Sequence, residues 1–280
     1  MTNNFVLRLG DVRVGFTGLT LPLRADSFLP QFSCGGTPDV TLHIEQDANA
    51  AFSAPVIYED SFYRVHGSGR EFSAEVSAHG TLKTWGYAVL HYDAVEPRFQ
   101  LLSPTHTCTL DQVLSGMMME SLLLARGHAV LHASAIRVGG QAILFTAPSG
   151  TGKSTQAELW SRHRGAEVLN GDKALLYFKA GKPMAGGLPY AGMSGICKRF
   201  ELPIRAIVVL RQAKENRLAP LRPAEAVRCL LSQLVLQPWR REDIQAALEL
   251  ALRLAESVPI FRLACLPEES AVSCLERSLK

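Results

Sequence analysis

The sequence predicts an α/β protein in which a β-rich N-terminal region is followed by an α/β domain with C-terminal helices. Three features lead to this fold class. Roughly the first hundred residues consist of short segments rich in Val, Phe, Tyr and Thr, which Gly, Ser, Pro and Asp separate. Beyond residue 127, apolar strands and a helix alternate around a glycine-containing loop. The C-terminal part repeats apolar residues at helical spacing.

The composition excludes several classes of protein. The 280 residues are 47% hydrophobic and 20% charged, the balance of a folded globular protein rather than a disordered one. A formal net charge of +3 gives no reason to expect binding to nucleic acid or to a membrane surface. No segment reaches the ~18 apolar residues of a membrane-spanning helix, and the N-terminus lacks the pattern of a secretory signal. The six cysteines form no CxxC pair, so zinc-site spacing is absent. We therefore expect a cytoplasmic protein with reduced thiols.

The chain is predicted to divide into three segments. Residues 1–109 form the β-rich region, whose predicted strands are FVLRLGDVRVGF, VTLHIEQD, APVIYEDSFYRVHG, EFSAEVS and WGYAVLHYDA. Residues 110–127 form a connecting helix, because Leu114, Leu122 and Leu123 recur at helical spacing before Gly127. Residues 128–280 form the second domain, in which the chemistry-bearing residues lie.

The second domain begins with two strands and a helix. HAVLHASAIRV and QAILFTA are predicted strands, joined by a tight hairpin turn at Gly139 and Gly140. A helix follows from about Lys153 to Arg162. The remaining predicted strands are EVLN, ALLYFKA, the buried run AIVVL, and PIFRLAC. The remaining predicted helices cover 222–236, 241–256 and 268–279.

The strongest chemical signal is the segment from Ala147 to Thr155, APSGTGKST. It matches the phosphate-binding P-loop GxxxxGK[ST], except that Ala147 replaces the first glycine. A strand that turns sharply into a helix can direct consecutive backbone N–H groups at one phosphate, and the positive end of the helix dipole adds to that attraction. An ordinary glycine turn before a helix is the alternative, but such a turn does not need Lys153 and Ser154.

The P-loop pattern assigns nucleotide-binding roles to particular residues. Lys153 can reach the β and γ phosphates, and the Ser154 hydroxyl can bind Mg²⁺. We expect ATP and Mg²⁺ as the ligands. The predicted nucleotide-binding residues are Ser149, Gly150, Thr151, Gly152, Lys153, Ser154 and Thr155.

The stretch from His128 to about residue 236 resembles the catalytic domain of HPr serine kinase/phosphorylase and its relatives, a group that also resembles the nucleotide-binding part of phosphoenolpyruvate carboxykinase. In the HPr kinases a histidine precedes a β-hairpin and the P-loop, and an acidic pair follows on the next strand. Here His132 stands 21 residues before Lys153. Asp172 occupies the second place of the acidic pair, whereas Gly171 occupies the first. The resemblance implies a P-loop domain of the HPr-kinase/carboxykinase-like type.

The resemblance also implies roles for the polar residues. Lys153 and Mg²⁺ neutralise phosphate charge, and Asp172 binds the metal or accepts the proton of the acceptor hydroxyl. His132 orients or assists that carboxylate. Two other interpretations remain open, namely that Asp172 is a turn residue in Asn-Gly-Asp and that His132 is a core histidine. With Gly171 in the first acidic place, one carboxylate is left for two roles.

These expectations lead to an ATP- and Mg²⁺-dependent phosphotransferase, in which the resemblance implies serine in a protein or peptide as the acceptor. HPr and a peptide substrate encoded nearby are both candidates. A small-molecule hydroxyl kinase and a non-catalytic nucleotide-binding module are the alternatives, and Gly171 motivates the second. The resemblance further implies a homo-oligomer. Lys198 and Arg199 follow a glycine-rich segment and either contact phosphates or an acidic peptide, or form a solvated surface pair.

Overall fold

The computed structural model describes residues 5–18, 20–45, 54–61, 63–68, 71–76, 89–90, 99–102, 109–111, 114 and 119–279. The chain is a mixed α/β protein with helices toward its C-terminus, as predicted. It divides into two compact units, Met1–Ala125 and Arg126–Lys280. Within the described ranges, every helix is too short or too polar to span a bilayer.

The first unit is built mainly from strands. A five-stranded sheet has the order β1-β2-β3-β8-β7, and β4, β5 and β6 form a separate antiparallel sheet. Apolar residues that alternate along β1 and β2 supply much of its buried interior, as half-buried strands require. The elements are β1 (Phe5–Leu9), β2 (Val12–Gly18), α1 (Leu29–Phe32), β3 (Val40–Glu45), β4 (Val56–Glu59), β5 (Tyr63–Ser68), β6 (Glu71–Val76), β7 (Val89–Leu90), β8 (Phe99–Leu102) and α2 (Met119–Leu124).

The second unit contains the following elements in chain order: β9 (Ala129–Val138), β10 (Gln141–Thr146), α3 (Lys153–Arg164), β11 (Glu167–Asn170), β12 (Lys173–Lys179), β13 (Lys182–Gly186), a 3₁₀ turn (Gly192–Ser194), β14 (Glu201–Gln212), β15 (Arg217–Pro220), α4 (Pro223–Leu231), α5 (Arg241–Ser257), β16 (Ile260–Cys265) and α6 (Glu269–Ser278). Two long strands organise this unit. β9 pairs with β10, β11 and β12, and β14 pairs with β10, β13 and β16. The pairings of β10, β9, β12, β13 and β14 therefore close into a ring.

Helix α3 covers one face of this sheet. Ile136 of β9 and Phe145 of β10 pack in one buried cluster with Ala157 and Trp160 of α3. The Gly165 backbone N–H bonds to the Ser161 carbonyl and ends the helix in a left-handed conformation. Helix α3 is therefore packed against β10, the strand that precedes it. This packing determines where the loop between β10 and α3 lies.

Several predicted boundaries need correction. The predicted helix over 222–236 ends at Leu231, because Leu234 forms a bridge with Leu131 and the Val235 N–H bonds to the Val130 carbonyl. Strands β13 and β15 were not predicted, since KPMAG and RLAP contain proline and lack an apolar alternation. In the predicted helix 110–127, residues 110, 111, 114 and 119–124 are helical; its other residues up to 118, and most of the predicted strand WGYAVLHYDA, lie outside the described residues.

Candidate functional site

The loop between β10 and α3 has an open, glycine-lined outer surface. Gly150 and Gly152 have φ angles of 77° and 112°, which side chains with a Cβ rarely adopt. A Cβ placed on Gly150 would meet no atom within 4 Å. Gly152 is the N-cap of α3, and no side chain caps the helix there. The first N–H groups of α3 are therefore directed at space that a phosphate can occupy.

Lys153 lies across this loop. Its Nζ donates hydrogen bonds to the carbonyl oxygens of Ala147, at 2.9 Å, and Pro148, at 3.4 Å. Burial lowers the pKa of Lys153, and the nearby carboxylate of Asp172 opposes that shift. Ser154, the next residue, is exposed at the start of the helix. Both side chains are therefore available at the mouth of the loop.

Strand β9 lies between the loop and Asp172. Ala133 of β9 is in register with Thr146, the last residue of β10, and its N–H donates to the Asp172 carbonyl over 2.9 Å on the other side. The backbones of Thr146 and Asp172 are thus separated by two interstrand spacings, about 10 Å. Lys153 and Asp172 therefore lie on opposite sides of β9, at the same end of the sheet.

His132 belongs to the same face of the sheet as helix α3. Side chains alternate along a strand, so His132 shares its face with Ile136, which packs against that helix. The backbone of His132 is held on both sides, by the Thr146 hydroxyl, which donates to its carbonyl over 2.7 Å, and by the Gln233 carbonyl, which accepts from its N–H over 2.9 Å. Burial chiefly lowers the pKa of His132; Lys173 and Lys153 also lower it, and Asp172 opposes them. The imidazole is therefore neutral at neutral pH.

Asn170 fixes the backbone around Asp172. Its buried side chain accepts hydrogen bonds from the N–H groups of Asp172, at 2.8 Å, and Lys173, at 3.1 Å. Its Nδ2 donates to the Tyr190 carbonyl over 2.7 Å. Asp172 is therefore both a turn residue and a residue of the candidate site, so the two interpretations of the sequence are compatible. In the described part of the chain, no hydrogen bond or ion pair occupies the Asp172 carboxylate.

The segment Tyr190–Ser194, which we call the covering loop, packs on the Asn170–Lys173 turn. A Cβ on Gly192 would lie 2.6 Å from the Asp172 Cβ, and a Cβ on Gly171 would lie 2.1 Å from the Ser194 Oγ. Gly171 does not have a positive φ, so close packing rather than turn geometry requires glycine at this position. Ser194 occupies the place that the first side chain of an acidic pair would take.

The structure brings the predicted residues of the nucleotide loop, His132 and Asp172 to one edge of the second unit, and it adds residues that sequence reasoning missed. Gln212, at the end of β14, donates its Nε2 hydrogen to the Gly150 carbonyl over 3.3 Å. Because β14 runs parallel to β10, the carboxyl ends of these two strands meet at one edge. If the sequence analysis had paired β14 in parallel with β10, it would have identified Gln212 as a neighbour of the glycine loop. No sequence pattern predicted the buried hydrogen bonds of Asn170.

Lys198 is bound at a different place. Its Nζ lies 2.8 Å from Glu167, which also pairs with Arg137 at 2.7 Å. The side chains of Lys198 and Glu167 are both well exposed, so this pair contributes little to stability. The structure therefore supports a surface ion pair for Lys198 rather than a phosphate contact.

The oxygen donors of the site suit magnesium. The described residues contain no group of three or more His, Cys, Asp or Glu side chains that could hold a metal by themselves. The Ser154 hydroxyl and the unpaired Asp172 carboxylate are hard oxygen ligands, and Mg²⁺ usually takes one or two protein ligands together with phosphate oxygens and water. The residues present fit that mode of binding.

Comparisons with known proteins give a structural match and no sequence match. No family model matches this chain, and no curated protein matches its sequence. The solved structure of the Hpr(Ser) kinase/phosphatase from Coxiella burnetii aligns with 53% of this chain and 94% of its own length, at 10% sequence identity and a TM-score of 0.32.

Proposed function

We propose that this protein is an ATP- and Mg²⁺-dependent phosphotransferase that phosphorylates a hydroxyl group. The observation that carries the proposal is the placement of an open glycine loop with Lys153 on one side of β9 and an unpaired carboxylate, Asp172, on the other. Phosphoryl transfer depends chiefly on positioning and on neutralisation of charge, and these groups supply both.

The proposed reaction follows from the positions of the two groups. The acceptor oxygen forms a bond to the γ phosphorus as the bond between that phosphorus and the β–γ bridging oxygen breaks, and the electron pair leaves with ADP. Asp172 accepts the proton of the acceptor hydroxyl and later releases it to solvent. Lys153 leaves its two backbone carbonyl partners and binds the phosphate oxygens, while His132 remains neutral and orients Asp172.

Magnesium has a limited part in this proposal. Ser154 and Asp172 would hold Mg²⁺, the second through a water molecule, and the ion when bound supplies positive charge to the phosphates. All other steps are assigned to side chains of the chain itself.

Serine in a protein or peptide is the acceptor we propose, as the resemblance to the HPr kinases implies. One feature of the covering loop supports a peptide. Met193 is fully exposed. Its neighbour Gly192 packs against Asp172, and its other neighbour Ser194 packs against Gly171. A flexible methionine side chain beside the proposed base offers an adaptable apolar contact for a peptide chain, which a small hydroxy compound would not need.

The test uses γ-labelled ATP, Mg²⁺ and an extract of the native host, with products separated by size. The parent protein is compared with Lys153→Ala and with Lys182→Ala, a matched change at the exposed lysine that begins β13. We expect label in a protein or peptide fraction that Lys153→Ala abolishes and Lys182→Ala retains. Asp172→Asn should bind Mg-ATP and lose transfer; transfer at the parental rate would remove Asp172 as the base.

A non-catalytic nucleotide-binding module is the second candidate. The observation that favours it is Ser194, which fills the space beside Gly171 and leaves a single carboxylate in the site. Intact nucleotide binding without any Lys153-dependent label would support this candidate. Lys153-dependent label confined to small molecules would instead indicate a metabolite kinase.

A further inference from the structure

Lys173 is a cation of the site that the proposed mechanism has not used. It is the first residue of β12, follows Asp172 directly, and is in register with His132 on β9. Directly opposed residues of two antiparallel strands extend from the same face, so Lys173 and His132 share the face that carries α3. Lys173 is thus on the nucleotide side of the sheet.

The ammonium group of Lys173 is held in place without being neutralised. Its Nζ lies 5.1 Å from the centre of the Tyr190 ring, whose backbone carbonyl is bound by Asn170. In the described residues, no carboxylate lies within ion-pair distance of this Nζ. A cation–π contact is worth only about 0.5–1 kcal/mol at an exposed site, so it orients the lysine and leaves its charge available to a ligand.

Lys153 and Lys173 approach the site from opposite sides of β9. Lys153 belongs to the loop after β10, whereas Lys173 begins β12 on the other edge of the same strand. Lys173 is in register with His132, and the positive charges of both lysines lower the pKa of that imidazole. Two ammonium groups and one carboxylate, Asp172, leave an excess of positive charge that an anion between them would balance.

We propose that Lys173 is a catalytic residue that binds the phosphoryl group from the acceptor side while Lys153 binds it from the nucleotide side. This inference rests on the proposed function. In the loose transition state, charge spreads over three equatorial oxygens, and two lysines on opposite sides of the phosphorus meet more of that charge than one. The proton and the leaving group go as described above, since Lys173 takes no part in proton transfer.

The first test measures transfer with Lys173→Met, Lys173→Arg and the matched control Lys182→Met. Loss of one preorganised donor to a transition state reduces kcat by roughly 10²–10³-fold. We expect such a reduction for Lys173→Met, partial recovery with arginine, an ATP dissociation constant within about threefold of the parent, and no change for Lys182→Met. A kcat of Lys173→Met within about threefold of the parent would overturn the inference.

The second test does not require turnover. Binding of inorganic phosphate is measured in the presence of saturating Mg-ADP, with the full chain and the same variants, after thermal unfolding has shown that each is folded. Phosphate affinity should fall at least tenfold in Lys173→Met and remain unchanged in Lys182→Met; equal affinity in all proteins would refute the anion-binding role. If Lys173-dependent phosphate binding occurs but the parent transfers no label, the proposed phosphotransferase function fails while the anion site stands.

Discussion

Substitution of Gly171 by alanine tests the packing that separates this site from one with an acidic pair. The added Cβ would lie 2.1 Å from the Ser194 Oγ and 2.6 Å from the Ser194 Cβ. Rotation of the serine side chain relieves only the first contact, because its Cβ moves with the backbone. The covering loop must therefore shift by roughly 1 Å to restore an ordinary carbon–carbon separation of about 3.5 Å.

The expected cost of Gly171→Ala is about 1–3 kcal/mol, the usual range for overpacking in a well-packed region. For a unit of this size, each kcal/mol lowers Tm by roughly 2–4 °C. Ser194→Gly removes both clashing atoms but loses hydrogen bonds to the Ala191 carbonyl and from the Ile196 N–H, at about 0.5–1.5 kcal/mol each. The double variant should therefore be more stable than the sum of the single changes predicts.

The assay is a double-mutant cycle in urea, followed by circular dichroism, with Gly35→Ala as the control. Gly35 has no atom within 4 Å of its added Cβ and an ordinary φ, so alanine there should change stability by no more than about 0.5 kcal/mol. The reasoning is refuted if Gly171→Ala is as mild as Gly35→Ala, or if the effects of Gly171→Ala and Ser194→Gly simply add.

Three further predictions concern the same site. Asn170→Ala should lower the free energy of unfolding by roughly 2–4 kcal/mol in urea titrations, because it leaves backbone groups without partners, and Asn170→Asp should also destabilise the protein, because it sets a buried carboxylate against the Tyr190 carbonyl. Burial holds the pKa of His132 in the folded protein below its ordinary value of 6.5, so the unfolded chain binds more protons as the pH falls through 6.5. Stability should therefore decline on acidification below that pH, and His132→Gln should flatten the decline in unfolding curves measured at several pH values. Gln212→Ala should weaken ATP binding by no more than about tenfold in calorimetry, since it removes one exposed hydrogen bond to the loop.

Local sequence patterns predicted the elements of the second unit well. The hairpin at Gly139 and Gly140, the helix from Lys153 and the strands on either side of Gly171 are all present, because each depends on residues close together in the chain. Chain order also located the glycine loop between β10 and α3, since a strand followed by glycines and a helix leaves few alternatives.

Contacts between distant residues were not predictable in the same way. Asn170 and Tyr190 are twenty residues apart, and their hydrogen bond depends on how β13 and the covering loop return to the sheet. The Asn-Gly-Asp sequence suggested a turn, whereas the need for glycine at position 171 comes from the close approach of Ser194. Such a constraint arises only once the tertiary structure is formed, so composition and spacing carry no sign of it.

The single carboxylate of the site is compatible with catalysis on energetic grounds. In a loose phosphoryl-transfer transition state the acceptor oxygen forms little bond to phosphorus and has acquired little positive charge, so a second carboxylate beside the base Asp172 would add little. Electrostatic stabilisation of the transferred group contributes more. A site that has one carboxylate but holds Lys153 and Lys173 on two sides of β9 has the larger contribution and lacks only the smaller one. For this reason we expect the site to transfer phosphate with Asp172 as its single acid. Removal of Lys173 should reduce the rate of that transfer.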